Sequence, residues 1–341
     1  MAVRTAIGTY IENVKQSIIR KVSEICPDRL MTVSLLTEDA KGVFIISATP
    51  FADDGALDLD STDRLIEFYI EKGVHGITIL GMMGEAQKLT TDESIVFVQR
   101  VLGRVRGRVP VVVGISNPGT DNLVALAWRA MDAGAAGVMV APVIGLRTED
   151  QVISYVAAVF ARIGAEVPVC LQDYPQSTTV HVSVSTLNRL VDVHRQLVMV
   201  KHEDCPGLSK LSGLRQGGNA RRRVSILIGN GALYLPQELR RGADGAMTGF
   251  AFPEMLVEVY ERFARGDAEA AEDLFDIYLP LVRYEQQPAF GLAVRKEVLH
   301  RRGVIKSAAL RAPGVRLNGD DHRELGDLLM RLERKLQASS G

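Results

Sequence analysis

The sequence predicts an α/β chain folded as a closed (β/α)8 barrel, a TIM barrel, with an N-terminal helical extension and a C-terminal helical appendage. Three observations carry this reading. Eight short apolar, β-branched runs alternate with stretches of helical period, at a spacing of roughly 25–35 residues. The runs are apolar throughout rather than alternating, the pattern of strands buried on both faces of a parallel sheet. No glycine-rich dinucleotide turn follows the first run, which disfavours the main alternative, an open doubly wound sheet.

Residues 1–40 stand apart as the extension. Ile7, Tyr10, Ile11, Val14, Ile18, Val22 and Ile25 recur at three- and four-residue spacing, an amphipathic stripe that Cys26-Pro27-Asp28 ends. The stripe reads as a helix packed on the main body or on another subunit; Glu12 and Glu24 argue against a membrane-surface role. The barrel spans 41–252. Its strands are expected at 43–46, 75–80, 111–113, 137–140, 167–171, 197–200, 225–228 and 245–247. Helices are expected near 60–72, 91–106, 120–134 and 149–163. Residues 253–341 hold the last barrel helix and the C-terminal helices, among them Ala268–Leu279, which Pro280 interrupts, and His322–Leu336.

Composition narrows the function. The 341 residues are 47% apolar and 24% charged with a formal net charge of −1, so no footprint for nucleic acid or an anionic membrane is present. Three scattered cysteines suit a reducing compartment better than a disulfide framework. No apolar run is long enough to span a bilayer, and the start lacks a secretory core, so a cytoplasmic protein is expected. The six histidines form no cluster with carboxylates, and neither a metal nor another cofactor is expected.

In such barrels chemistry sits at the C-terminal ends of the strands. Lys201 directly follows the apolar run Leu197–Val200. Desolvation at the rim of an apolar core favours a lysine's neutral form, the form that attacks a carbonyl. The plainer reading is a lysine that snorkels out or pairs with Glu203 or Asp204. Gly81-Met82-Met83-Gly84-Glu85 ends the second strand with a tight turn whose N–H groups can face a carboxylate. Gln172-Asp173-Tyr174-Pro175 offers an amide, a carboxylate and a phenol after the fifth strand, or simply a polar turn set by the proline. Gly229-Asn230-Gly231 would let a ligand approach the backbone.

The ordered set resembles the dihydrodipicolinate synthase / N-acetylneuraminate lyase family over about residues 42–335. It comprises Thr49-Pro50-Phe51, the Gly-x-x-Gly-Glu turn, Ala133-Gly134-Ala135-Ala136-Gly137, Lys201 and the helical tail. The resemblance implies a class I aldolase or lyase that forms a Schiff base between Lys201 and pyruvate or another 2-oxo acid. An aldehyde would be the second partner in carbon–carbon bond formation, and dehydration can share the same enamine. It also implies a homo-oligomer, dimer or tetramer. Thr49, Gly81, Met82, Met83, Gly229 and Gly231 become the substrate-binding set.

The departures are as informative. Met82 and Met83 stand where the family has two threonines, and Gln172 stands where it has its acid/base tyrosine. Asp173 takes the place of the following asparagine, Ser177 that of a carboxylate-binding arginine, and Val143 and Ile144 that of a tyrosine pair. Dihydrodipicolinate synthase activity itself is therefore not expected. The apolar replacements predict a second substrate less polar than a sugar acid. Proton transfer falls to Asp173, Tyr174, His202 or an acid group of the substrate. Tyr174 is the better candidate, because it shares a strand face with Gln172 whereas His202 should point outward. The alternative is a non-catalytic, keto-acid-binding or regulatory homologue that has lost turnover. The runs Arg221-Arg222-Arg223 and Arg240-Arg241-Gly242 read as solvated turns.

Overall fold

The computed structural model of the chain describes residues 34–216 and 222–339. The stripe at 7–25 and Arg221 lie outside the described residues. Eight parallel strands close on themselves in chain order: β1 Gly42–Ile46, β2 Gly76–Ile79, β3 Val111–Gly114, β4 Gly137–Val140, β5 Val169–Asp173, β6 Leu197–His202, β7 Ser225–Ile228 and β8 Gly245–Ala246. Hydrogen bonding from β8 back to β1 completes the barrel, with Val43 beside Ala246. The (β/α)8 architecture expected from the spacing is the one observed.

The connecting helices are α1 Leu59–Glu71, α2 Thr91–Val105, α3 Thr120–Asp132, α4 Glu149–Ile163, the short turn α5 Pro175–Thr178, α6 Val184–Val193, α7 Leu208–Arg215, α8 Leu235–Arg240 and α9 Pro253–Ala264. Their starts follow from local chemistry. The Asp58 carboxylate accepts from Ser61 N at 2.8 Å ahead of α1, and reciprocal capping boxes at Thr90/Glu93 and Thr148/Gln151 open α2 and α4. The appendage is α10 Ala268–Glu285, α11 Gly291–Arg301 and α12 Gly319–Ser339. No helix among the described residues is long and apolar enough to cross a membrane.

The structure departs from three expectations. Pro280 does not end its helix: α10 runs through it to Glu285. The ring removes one backbone hydrogen bond, but Phe275, Tyr278, Leu281 and Val282 are all buried, and their packing carries the helix on. Residues 34–40 belong with the barrel rather than an extension. Leu36 donates its N–H to Ala136 O and joins Phe44, Val112, Met139, Cys170 and Met247 in the inner apolar cluster, closing the barrel floor. Arg222 and Arg223 are not merely solvated. Arg222 donates to the carbonyls of Val191 in the last turn of α6, His194 just after it and Leu197 at the start of β6, and Arg223 pairs with Asp244.

Candidate active site

β5 and β6 each run two residues beyond their apolar stretches. In the last layer Gln172 lies beside Lys201, and Asp173 beside His202. Side chains alternate across a strand, so Met199, Lys201 and Glu203 share one face, as do Cys170 and Gln172. Met199 and Cys170 belong to the inner cluster, which puts Lys201, Glu203 and Gln172 at the barrel mouth directly above an apolar floor. Burial pushes the Cys170 thiol up to about 12, so that floor carries no thiolate.

The three polar side chains meet one another. Lys201 Nζ lies 3.0 Å from Glu203 Oε2, and Gln172 Nε2 donates to the same oxygen at 2.6 Å. The ion pair is nearly enclosed, with side-chain exposures of 7% and 8%. Backbone contacts hold Glu203 on both sides: its N–H donates to Asp173 O at 2.9 Å, and its carbonyl accepts from Asn230 Nδ2 at 2.8 Å. Gly229 is what makes room. A Cβ there would fall 2.2 Å from Glu203 Cγ and 2.4 Å from Oε1. The close approach expected at this glycine is thus filled by the protein's own carboxylate. At Gly231, whose φ of +60° favours glycine, the Gln286 side chain occupies the corresponding space.

Asp173 and His202 point the other way. Asp173 Oδ2 accepts from Lys210 at 2.7 Å and lies 3.4 Å from His202 Nδ1, while His202 Nε2 sits 3.0 Å from Gly207 O. Asp173 therefore packs against α7 instead of facing Lys201, as strand alternation dictates. Burial disfavours the His202 cation, but its bonds to Asp173 and to the Gly207 carbonyl outweigh that and raise its pKa. Tyr174 has left the strand and precedes α5, half-buried. Burial and then the charge of Glu203 raise its phenol above the ordinary range, and it stays protonated.

Thr49 and the second-strand turn sit together. Met82–Gly84 form one 3-10 turn whose first bond runs from Gly84 N to Gly81 O at 3.0 Å, so the N–H groups of Met82 and Met83 precede it and take no part in it. Thr49 Oγ1 donates to Gly84 O at 2.6 Å and pins the turn rather than offering its proton elsewhere. Met83 packs on the inner cluster, and Met82 Sδ accepts from Ser177 Oγ at 3.0 Å. Glu85 closes the turn in a left-handed conformation (φ 55°) and pairs with the fully buried Lys296 at 2.6 Å. Ile144 does not join this group. Ile144 is 69% exposed and lines a separate surface groove of about 580 Å³ with Leu146, Val180 and His181. Its apolar character therefore says little about a substrate at the barrel mouth.

The residue that the sequence undervalues is Glu203. Its period-two relation to Met199 and Lys201 is the signal, and it becomes visible only once β6 is known to continue through His202. No group of histidines, cysteines and carboxylates among the described residues is arranged to hold a metal ion.

Comparison with known proteins agrees with the fold. The dihydrodipicolinate synthetase family model matches residues 39–332. L-2-keto-3-deoxyarabonate dehydratase of Azospirillum brasilense is 34% identical over 298 residues, 86% of this chain and 94% of its own. Among solved structures, dihydrodipicolinate synthase from Rhodopseudomonas palustris superposes with a TM-score of 0.85 at 46% identity, covering 87% of this chain and 99% of that one. YagE from E. coli K12, solved in complex with pyruvate, gives 0.79 at 25% identity, covering 86% and 98%. With the closed barrel, the lysine at the end of its sixth strand and a match over nearly the whole described chain, the protein belongs to the dihydrodipicolinate synthetase family.

Proposed function

We propose that this chain is a lyase or dehydratase that captures a 2-oxo acid on Lys201 as a Schiff base. The observation that carries the reading is the enclosed Lys201–Glu203 pair at the barrel mouth, above an apolar floor. A proton moving from the ammonium to the carboxylate 3.0 Å away leaves a free amine beside a carboxylic acid. The amine adds to C2 of the oxo acid; the carbinolamine then loses water, its oxygen taking the acid's proton, and an iminium remains. The substrate carboxylate is held by the N–H groups of Met82 and Met83, which the turn leaves without a partner. Thr49, through Gly84 O, keeps that turn in place.

The dehydratase branch is favoured by the Azospirillum relative, whose name describes loss of water from a 3-deoxy-2-oxo sugar acid. The substrate class is then a 2-oxo acid with a methylene at C3 and a hydroxyl at C4. The lost threonine and tyrosine hydroxyls of the synthase support this divergence from dihydrodipicolinate synthesis. The test is incubation with pyruvate and with 3-deoxy-2-oxo acids, reduction by borohydride, and peptide mass spectrometry. A reduced adduct on the peptide carrying Lys201 is expected. If none of several oxo acids gives one, the Schiff-base reading is wrong.

A further inference from the structure

Resting on that reading, we propose that Glu203 is the acid/base that removes the C3 proton of the Lys201-bound substrate and then protonates the departing C4 oxygen. The family's tyrosine is absent, and the side chain in its place, Gln172, cannot exchange a proton; instead it donates to Glu203 Oε2 at 2.6 Å. The amide thus orients the carboxylate, and the acid/base task passes to the group it orients. Both donors, Gln172 and Lys201, fall on Oε2, while Oε1 faces Gly229.

Position favours the assignment. C3 of a bound oxo acid lies two bonds from Lys201 Nζ, and the carboxylate is already 3.0 Å from that nitrogen. Anchored at its own N–H and carbonyl and packed against a residue with no side chain, Glu203 is held for one geometry. Asp173, the neighbouring carboxylate by sequence, is committed to Lys210 and His202 on the outer face.

The steps balance. The C3–H bond breaks, its proton goes to Glu203, and the electron pair forms the C2–C3 double bond of an enamine as the nitrogen becomes neutral. The enamine pair then forms the C3–C4 double bond, and the C4–O bond breaks. The leaving oxygen takes the proton from Glu203 and departs as water. The carboxylate is regenerated and an unsaturated iminium remains, which water hydrolyses to free Lys201. One carboxylate serves both transfers, and no metal, oxidant or second base is required.

The test uses the full-length protein and pyruvate, which has a C3 methyl group but no leaving group. Wild type should form the borohydride-trapped adduct and exchange the pyruvate methyl protons in deuterium oxide, read by NMR. Glu203→Gln should form the adduct more slowly, and in the adduct once it has accumulated, exchange should fall by about 100-fold or more. Wild-type exchange rates in an adduct-forming E203Q would overturn the assignment. If E203Q forms no adduct, Glu203→Ala with added formate decides: formate-dependent exchange supports the role, and none overturns it. An absent adduct in wild type would instead sink the Schiff-base reading, so the two failures are distinct.

Discussion

Lys201 and Lys296 are both buried and each faces a buried glutamate, yet their surroundings differ in the feature that separates chemistry from architecture. Lys296 is saturated. Its Nζ donates to Glu85 Oε1 at 2.6 Å and to Ala309 O at 2.8 Å, and it lies 4.5 Å from the centre of the Phe51 ring. Glu85 in turn accepts from Lys88 Nζ at 2.9 Å and from Arg311 N at 3.1 Å. Burial outweighs these contacts and lowers Lys296 to about 8. Lys201 keeps one ion-pair partner among the described residues, and that partner is shared only with a glutamine. A buried charge with every bond made fastens one element to another, here α11 and the C-terminal segment to the turn at Met82–Gly84. A buried charge with bonds to spare, beside an acid, is equipped for turnover.

Substitutions can break or sharpen this contrast. The largest effect is expected for Lys201→Ala, which should abolish the borohydride adduct and cut turnover by at least ~10⁴-fold while the protein stays folded, read by mass spectrometry and circular dichroism. Lys296→Met should do the reverse: it leaves Glu85 short of a buried partner and costs about 3 kcal/mol in denaturant unfolding, yet preserves the adduct. A folded K296M of wild-type stability would remove the architectural role given to this pair.

Gly229→Ala comes next, because its methyl group would collide with Glu203 Cγ. Proton exchange should fall roughly 100-fold through displacement of the carboxylate, with Lys201 still trapped by borohydride. Unchanged exchange would mean that the carboxylate's position is unimportant. The smallest effect concerns Glu238 behind His202, where burial lifts the carboxyl to about 7 against the pull of the histidine. A carboxyl whose folded value exceeds its unfolded one binds more protons when folded, so stability declines as pH rises from about 4.5 to 7. Glu238→Gln should flatten that decline and raise stability at pH 8 by about 1–2 kcal/mol, measured by urea unfolding at several pH values.

Much of this was legible in the residues. Strands buried on both faces leave unbroken apolar runs, and all eight could be placed from them. Lys201 was conspicuous as the first charge after such a run. What escaped has a common cause: polar residues at the mouth hide how far a strand extends. Because Gln172, Asp173, Lys201 and His202 are polar, β5 and β6 appear to stop early, and the alternation that pairs Glu203 with Lys201 cannot be followed. The continuation of α10 through Pro280 escaped for another reason, since tertiary packing overruled a local preference.

Leu36, seated in the barrel floor, has a kinetic consequence. With that end filled from Leu36 up through Met139 and Cys170, approach to Lys201 through the floor is closed among the described residues. Anything captured on Lys201 must then arrive and leave past the C-terminal ends of the strands. Product that has not departed blocks the next molecule, so inhibition by product should be competitive with the 2-oxo acid.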